Sequence, residues 1–177
     1  GPTEALDTLV IPLLLPDTPV VVWWTDHTPD VPAEDPLGAI AQRRITDVAS
    51  CQAPIETLRN LAAGYRPGDT DVSWSRITLW RGLLAAALDE PPYTPVTGVR
   101  VFGGAQRPSS FLLAGWLAQA LKVPAEVWLA EEPTITRVEL ERPEGPIVLS
   151  RPHGATVAVL CRPGRGDQHI NLPLRTM

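Results

Sequence analysis

Apolar positions along the first two-thirds of the chain alternate between a helical and an extended rhythm. Leu6, Leu9, Val10, Leu13 and Leu14 recur at helical spacing, with Pro12 placed to kink or interrupt the turn. Val20-Val21-Val22-Trp23-Trp24 follows as an unbroken run of β-branched and aromatic residues. It predicts a strand buried on both faces, as inside a parallel sheet. The polar, proline-rich stretch 25–36 predicts a loop, 37–40 a short helical turn, and the alternation over 44–48 a second strand. A helix over 54–63 follows, with Pro54 in its first turn, Ile55, Leu58, Leu61 and Ala62 on one face, and Gly64 at its end.

Ser75 is placed to cap the next helix, whose Ile77, Trp80, Leu83, Leu84, Ala87 and Leu88 repeat at three and four until Asp89-Glu90-Pro91-Pro92 stops it. A strand over 98–102, a helix capped by Ser109 or Ser110, and a strand over 125–130 complete an alternation that implies βαβ units. Beyond Glu131 the rhythm changes. Residues 135–141, 147–151, 156–161 and 169–174 read as four short strands separated by glycine-bearing turns, the spacing of an antiparallel meander. The expectation is an α/β fold. A parallel or mixed sheet flanked by helices occupies residues 1–130, and a C-terminal antiparallel β meander occupies residues 131–177.

The 177 residues, 44% hydrophobic and 20% charged, fit a folded domain and exclude a disordered chain. No apolar run reaches the roughly 18 residues of a membrane span, and Leu9 to Trp24 lacks the flanks of a signal peptide. A formal net charge of −5 argues against a nucleic-acid partner. Of the 15 basic residues only Lys122 is lysine, a bias that points to a GC-rich genome and says nothing about chemistry. Two cysteines, Cys51 and Cys161, are too few for a disulfide scaffold and read as reduced thiols of a cytoplasmic protein, with a redox pair as the alternative.

The search for catalytic chemistry finds no nucleophile elbow, phosphate-binding Walker loop, zinc-protease helix or Cys-x-x-Cys pair. His27, His153 and His169 stand alone, with Asp26-His27 in a loop after the first strand. Gly103-Gly104, then Arg107 and Ser109-Ser110, lead from a strand into a helix. Free backbone N–H groups and Arg107 there can hold an anion, although a plain turn and cap explain the same residues. Asp69 and Asp71, on alternate positions of an extended segment, face one side and suit a divalent cation. The alternative is a polar loop whose carboxylates pair with nearby arginines. Among the six tryptophans, Trp80 and Trp116 lie on apolar helix faces, while Trp23 or Trp24 and Trp74, with Arg76 and Arg81, are candidates for a protein interface. No catalytic residue, metal ligand or cofactor is assigned.

Longer stretches carry a resemblance. Leu13-Leu14-Leu15-Pro16-Asp17 through Pro19 to Trp24, Asp35-Pro36-Leu37-Gly38, and Gln42-Arg43-Arg44-Ile45-Thr46-Asp47 occur in order. They are followed by Tyr65-Arg66-Pro67-Gly68-Asp69-Thr70-Asp71 with Trp74, Arg76 and Trp80-Arg81, then Leu113-Ala114-Gly115-Trp116-Leu117 and Leu149-Ser150-Arg151-Pro152. Together they resemble the OpcA family of glucose-6-phosphate dehydrogenase assembly proteins in its actinobacterial form. The resemblance implies a non-catalytic protein that binds the dehydrogenase and promotes its assembly or allosteric activation, raising NADPH supply indirectly. The resemblance implies redox control through cysteines only for cyanobacterial relatives, and it is not carried over to Cys51 or Cys161. Family members are longer, with a preceding segment and an acidic helical tail, so residues 1–177 resemble a piece of a longer chain, with Gly1-Pro2 as a cloning scar. Clustering of arginine, acid and tryptophan in predicted loops and element ends places the expected partner surface at Trp24, Arg43, Arg44, Asp69, Asp71, Trp74 and Arg81. The alternative is a sugar-phosphate- or nucleotide-binding sensor or enzyme of α/β fold, using the 103–110 turn or the Asp69–Asp71 pair.

Overall fold

The computed structural model describes Val10 and residues 17–173. The helix expected over Leu6 to Leu14 falls outside these apart from Val10, as does the end of the last strand. The chain forms two compact units, residues 1–73 and residues 74–177.

The first unit carries a parallel three-stranded sheet in the order β1 (Val21–Trp23), β2 (Arg43–Thr46), β3 (Asp69–Asp71). Helix α1 (Pro36–Ala39) joins β1 to β2, and α2 (Pro54–Ala63) joins β2 to β3. Asp35 caps α1 through its side chain, which accepts from the N–H groups of Leu37 and Gly38. Pro54 opens α2 and Gly64 closes it, as the sequence predicts. Strand pairing aligns Val21 with Arg43, and Trp23 with Ile45 and Thr70. Because side chains alternate across a strand, these five share one face. Val21 and Trp23 are 54% and 55% exposed, and Arg43 and Thr70 are exposed too. The expectation of a first strand buried on both faces is therefore corrected. In a three-residue strand, an all-apolar run does not say which face meets the core.

Close packing on the other face depends on two glycines. A Cβ on Gly38 would stand 1.7 Å from the Pro32 carbonyl oxygen and 3.2 Å from Trp24 Cη2. Gly68, at φ +102, would put a Cβ 2.6 Å from the Gln42 carbonyl oxygen.

The short helix α3 (Val72–Arg76) is followed by α4 (Thr78–Leu88). Ile77, not Ser75, is the N-cap of α4, and Ser75 lies inside α3. The second unit holds a six-stranded sheet in the order β5-β4-β6-β7-β8-β9. Strands β4 (Gly98–Gly104) and β5 (Ala125–Ala130) are parallel and linked by α5 (Pro108–Leu121). Strand β6 (Arg137–Glu141) adds antiparallel to β4, and β7 (Ile147–Ser150), β8 (Val157–Cys161) and β9 (Gln168–Asn171) continue as a meander. The meander expected from residue 131 onward thus grows out of the βαβ sheet itself.

One face of this sheet is covered. Ile77, Trp80, Leu84 and Ala87 of the α4 segment and Leu113, Ala114 and Leu117 of α5 form a core with Val99, Val101, Val138, Leu140, Ile147, Leu149, Ala158 and Leu160. Buried Arg151 donates to the Leu172 carbonyl and lies 5.4 Å from the Trp80 ring, and burial lowers its pKa. The opposite face carries charge. Glu139 accepts from Arg100 and Arg137, Glu141 pairs with Arg100, and these arginines lie over Trp128 and Phe102. No helix among the described residues is long and apolar enough to cross a membrane.

Two substitutions test the backbone account. Gly38→Ala should destabilise the first unit by about 2 kcal/mol or more, since the carbonyl must move. Lys122 ends α5 in the left-handed conformation, at φ 59. Lys122→Gly should therefore stabilise the second unit by about 1 kcal/mol. Urea unfolding followed separately for each unit reads both effects.

Candidate functional site

The sequence-predicted residues separate into three groups. Arg44, Asp69 and Asp71 are brought together, and their polar groups are used inside the fold. Arg44, 7% exposed, donates from Nε to Asp69 Oδ1, from Nη1 to the carbonyls of Ala41 (2.7 Å) and Gly38 (3.3 Å), and from Nη2 to the carbonyl of Pro67 (2.7 Å). Asp69 Oδ2 also accepts from the Arg66 N–H at 2.7 Å. Asp71 accepts from Thr46 Oγ1 (2.7 Å) and from the N–H groups of Val48 (2.9 Å) and Ser73 (2.8 Å). The two carboxylates do share the inner face of an extended strand, as the sequence predicts. Their lone pairs, however, are directed at protein donors. Among the described residues no group of three or more His, Cys, Asp or Glu side chains is placed to hold a metal ion.

Trp24 and Arg43 form the second group, on opposite faces of the same sheet. The Trp24 ring packs toward Gly38, and Arg43 stands on the open face beside Val21. Of the two adjacent tryptophans, Trp23 is the exposed one, not the expected Trp24. The register that decides between the two tryptophans depends on β2, where buried Arg44 fixes which side of the sheet faces inward.

Trp74 and Arg81 form the third group, in the second unit. The Arg81 guanidinium carbon lies 3.9 Å from the Trp74 ring centre and 5.8 Å from that of Trp116, and Arg81 Nη2 donates to Thr78 Oγ1. This is a cation–π stack of about 1 kcal/mol, with Trp74 half-buried.

The turn after β4 differs in detail from the expected anion cradle. Arg107 is the N-cap of α5 and makes no side-chain cap, so Ser109 and Ser110 sit in the first turn and do not cap it. Pro108 takes the first helical position, where its fixed φ fits and where it offers no N–H. The Ser110 N–H donates to the Arg107 carbonyl, and Ser110 is fully buried against Gly103, where a Cβ would lie 2.3 Å from its Oγ. A Cβ on Gly104 would likewise lie 2.9 Å from the Glu132 carbonyl oxygen, and Arg107 is exposed.

Cys51 and Cys161 are free thiols. A hydrogen bond to Asp167 raises the Cys161 pKa, helped by burial and the Asp167 charge and opposed by Arg137. A raised thiol pKa leaves less thiolate at any given pH.

Arg44→Met should cost the first unit about 3 kcal/mol in urea unfolding, because a buried carboxylate and three carbonyls lose their donor. Cys161 should alkylate with iodoacetamide at pH 8 more slowly than a solvated thiol, and Asp167→Asn should speed it. Equal rates in both proteins would remove the assigned cause.

No curated protein matches the chain. Residues 1–63 match the family described as the N-terminal domain of the glucose-6-phosphate dehydrogenase subunit, and residues 67–177 match the family described as its C-terminal domain. These matches run through the open face of the first sheet, the internally satisfied acid pair and the whole second sheet. With both regions present in order over nearly its full length, the chain belongs to the OpcA-type family of glucose-6-phosphate dehydrogenase assembly proteins.

Proposed function

We propose that this chain acts as a non-catalytic cytoplasmic partner of glucose-6-phosphate dehydrogenase, binding it directly and favouring its assembled, active state. The observation that carries the reading is the family match over both regions. The internal use of Arg44, Asp69 and Asp71 supports it, because the best candidate for metal chemistry is part of the scaffold. An activator shifts a partner toward activity only by binding the active state more tightly. A tenfold shift needs about 1.4 kcal/mol of difference.

The contact surface proposed for the first unit is the open sheet face of Val21, Trp23, Arg43 and Thr70. An exposed tryptophan beside an arginine, on a sheet face whose side chains stay accessible, has the composition of an interface hot spot. Trp74 with its stacked Arg81 is the corresponding candidate in the second unit.

Dehydrogenase activity at fixed enzyme, titrated with this chain, should rise and saturate. Trp23→Ala and Arg43→Ala should each raise the half-saturating concentration about tenfold or more while leaving the unfolding of the first unit within about 0.5 kcal/mol. Activation that is unchanged in both variants removes this face from the interface. No binding at all by the unmodified chain removes the functional reading.

A further inference from the structure

The second unit contains a side-chain cluster that neither the core nor the partner reading uses. Three turns converge on it. Glu90 to Pro92 follows α4, Arg142 to Gly145 joins β6 to β7, and Arg162 to Arg165 joins β8 to β9. Between them lies a cavity of about 30 Å³, bordered by Arg142, Arg162 and Arg165, with Glu90 and Glu144 as its acids.

The Arg162 side chain is 7% exposed, so more than nine-tenths of it is buried. Its Nη1 forms an ion pair with Glu90 Oε2 at 2.5 Å. Its Nε and Nη2 find no hydrogen-bond acceptor among the described residues, and neither does the buried Nε of Arg142. A guanidinium is a fork of five donors, and burying it without acceptors is costly. The nearby acceptors are already engaged. Arg142 Nη1 donates to the Pro92 carbonyl at 3.0 Å, Arg165 Nη2 to the Pro91 carbonyl at 2.7 Å, and Arg165 Nη1 to Glu90. Contact with Arg162, and then with Arg165, holds the Glu90 carboxyl below the usual carboxylate range although desolvation acts the other way. Glu90 is therefore charged at neutral pH, and three guanidiniums face two carboxylates with one positive charge in excess.

An acceptor that meets donors from two guanidiniums in this space and also balances the excess positive charge is small, carries several oxygens and is negative. The volume admits about two waters or one compact oxyanion. Exposed Glu90 and Arg165, with 45% and 39% of their side chains accessible, form the side open to solvent. We propose that this cavity binds an oxyanion of the phosphate class, with Arg162 and Arg142 as its principal donors. Guanidinium forks match phosphoryl oxygens in geometry as well as charge. The phosphate is either free or the terminal group of a phosphorylated sugar whose remainder projects past Glu90 and Arg165. The site is independent of the proposed dehydrogenase contact, whose test uses other residues and another readout.

Calorimetric titration of the whole chain at constant ionic strength tests it, with inorganic phosphate, a hexose phosphate and the free hexose as probes. Saturable phosphate binding is expected, about tenfold weaker in Arg162→Met and in Arg142→Met, each losing charge-assisted donors. It should be unchanged in Arg59→Met, which alters charge by the same amount on exposed α2. Circular dichroism of each variant checks folding, and either folded methionine variant is sufficient. Competition between the hexose phosphate and phosphate at the same residues identifies a sugar-linked source, and binding of phosphate alone identifies the free ion. Heat that does not saturate, or equal affinity in both folded methionine variants (an adventitious ion only), overturns the proposal.

Discussion

Arg44 brings a full positive charge to a position where 7% of the residue stays accessible, and a charge so placed persists only when its donors are met. Here they are met by one carboxylate and three backbone carbonyls, which belong to α1, to the approach to β2, and to the turn before β3. The guanidinium therefore fixes where three segments lie. It also determines which side of a very short sheet faces inward. The positions of Trp23, Trp24, Arg43 and the acid pair follow from that choice. Asp71 repeats the arrangement with opposite sign, collecting a hydroxyl and two backbone N–H groups.

The second unit is organised differently. Its two longer helices pack on one face of the sheet, and the other face is kept soluble by arginine–glutamate pairs laid across β4 and β6. Alternation on β6 produces both outcomes at once: Val138 and Leu140 enter the core, while Arg137, Glu139 and Glu141 form the charged ladder. Stacking of arginine on Trp128 and Phe102 covers part of the aromatic surface that this open face would otherwise expose.

Much of this order was legible in the chain. The amphipathic segment 54–63, and strands bounded by glycine or proline, carry their own start and stop signals. The meander was readable because four alternating segments at regular spacing have few other solutions. Facing was not readable for 21–23, because an all-apolar run has no phase of its own and takes it from the neighbouring strand. The expected caps failed at Ser75, which lies inside α3, and at Ser109–Ser110, because Pro108 takes the first helical position ahead of them. The acid pair was visible as a pair, but its employment was not, since its partners lie some two dozen residues away in sequence. The guanidinium cavity was invisible for the same reason: its turns are separated by whole strands.

The two matched families meet between residues 63 and 67, yet β3, which completes the first sheet, lies beyond that junction. Arg44 thus belongs to one matched region while Asp69 and the Pro67 carbonyl that neutralise and hold it belong to the other. The seam seen in sequence comparison is not a seam in the folded chain. A chain severed at the junction would leave a buried cation without its counterion. The shortest piece that keeps the Arg44–Asp69 pair intact therefore runs past the junction and through β3.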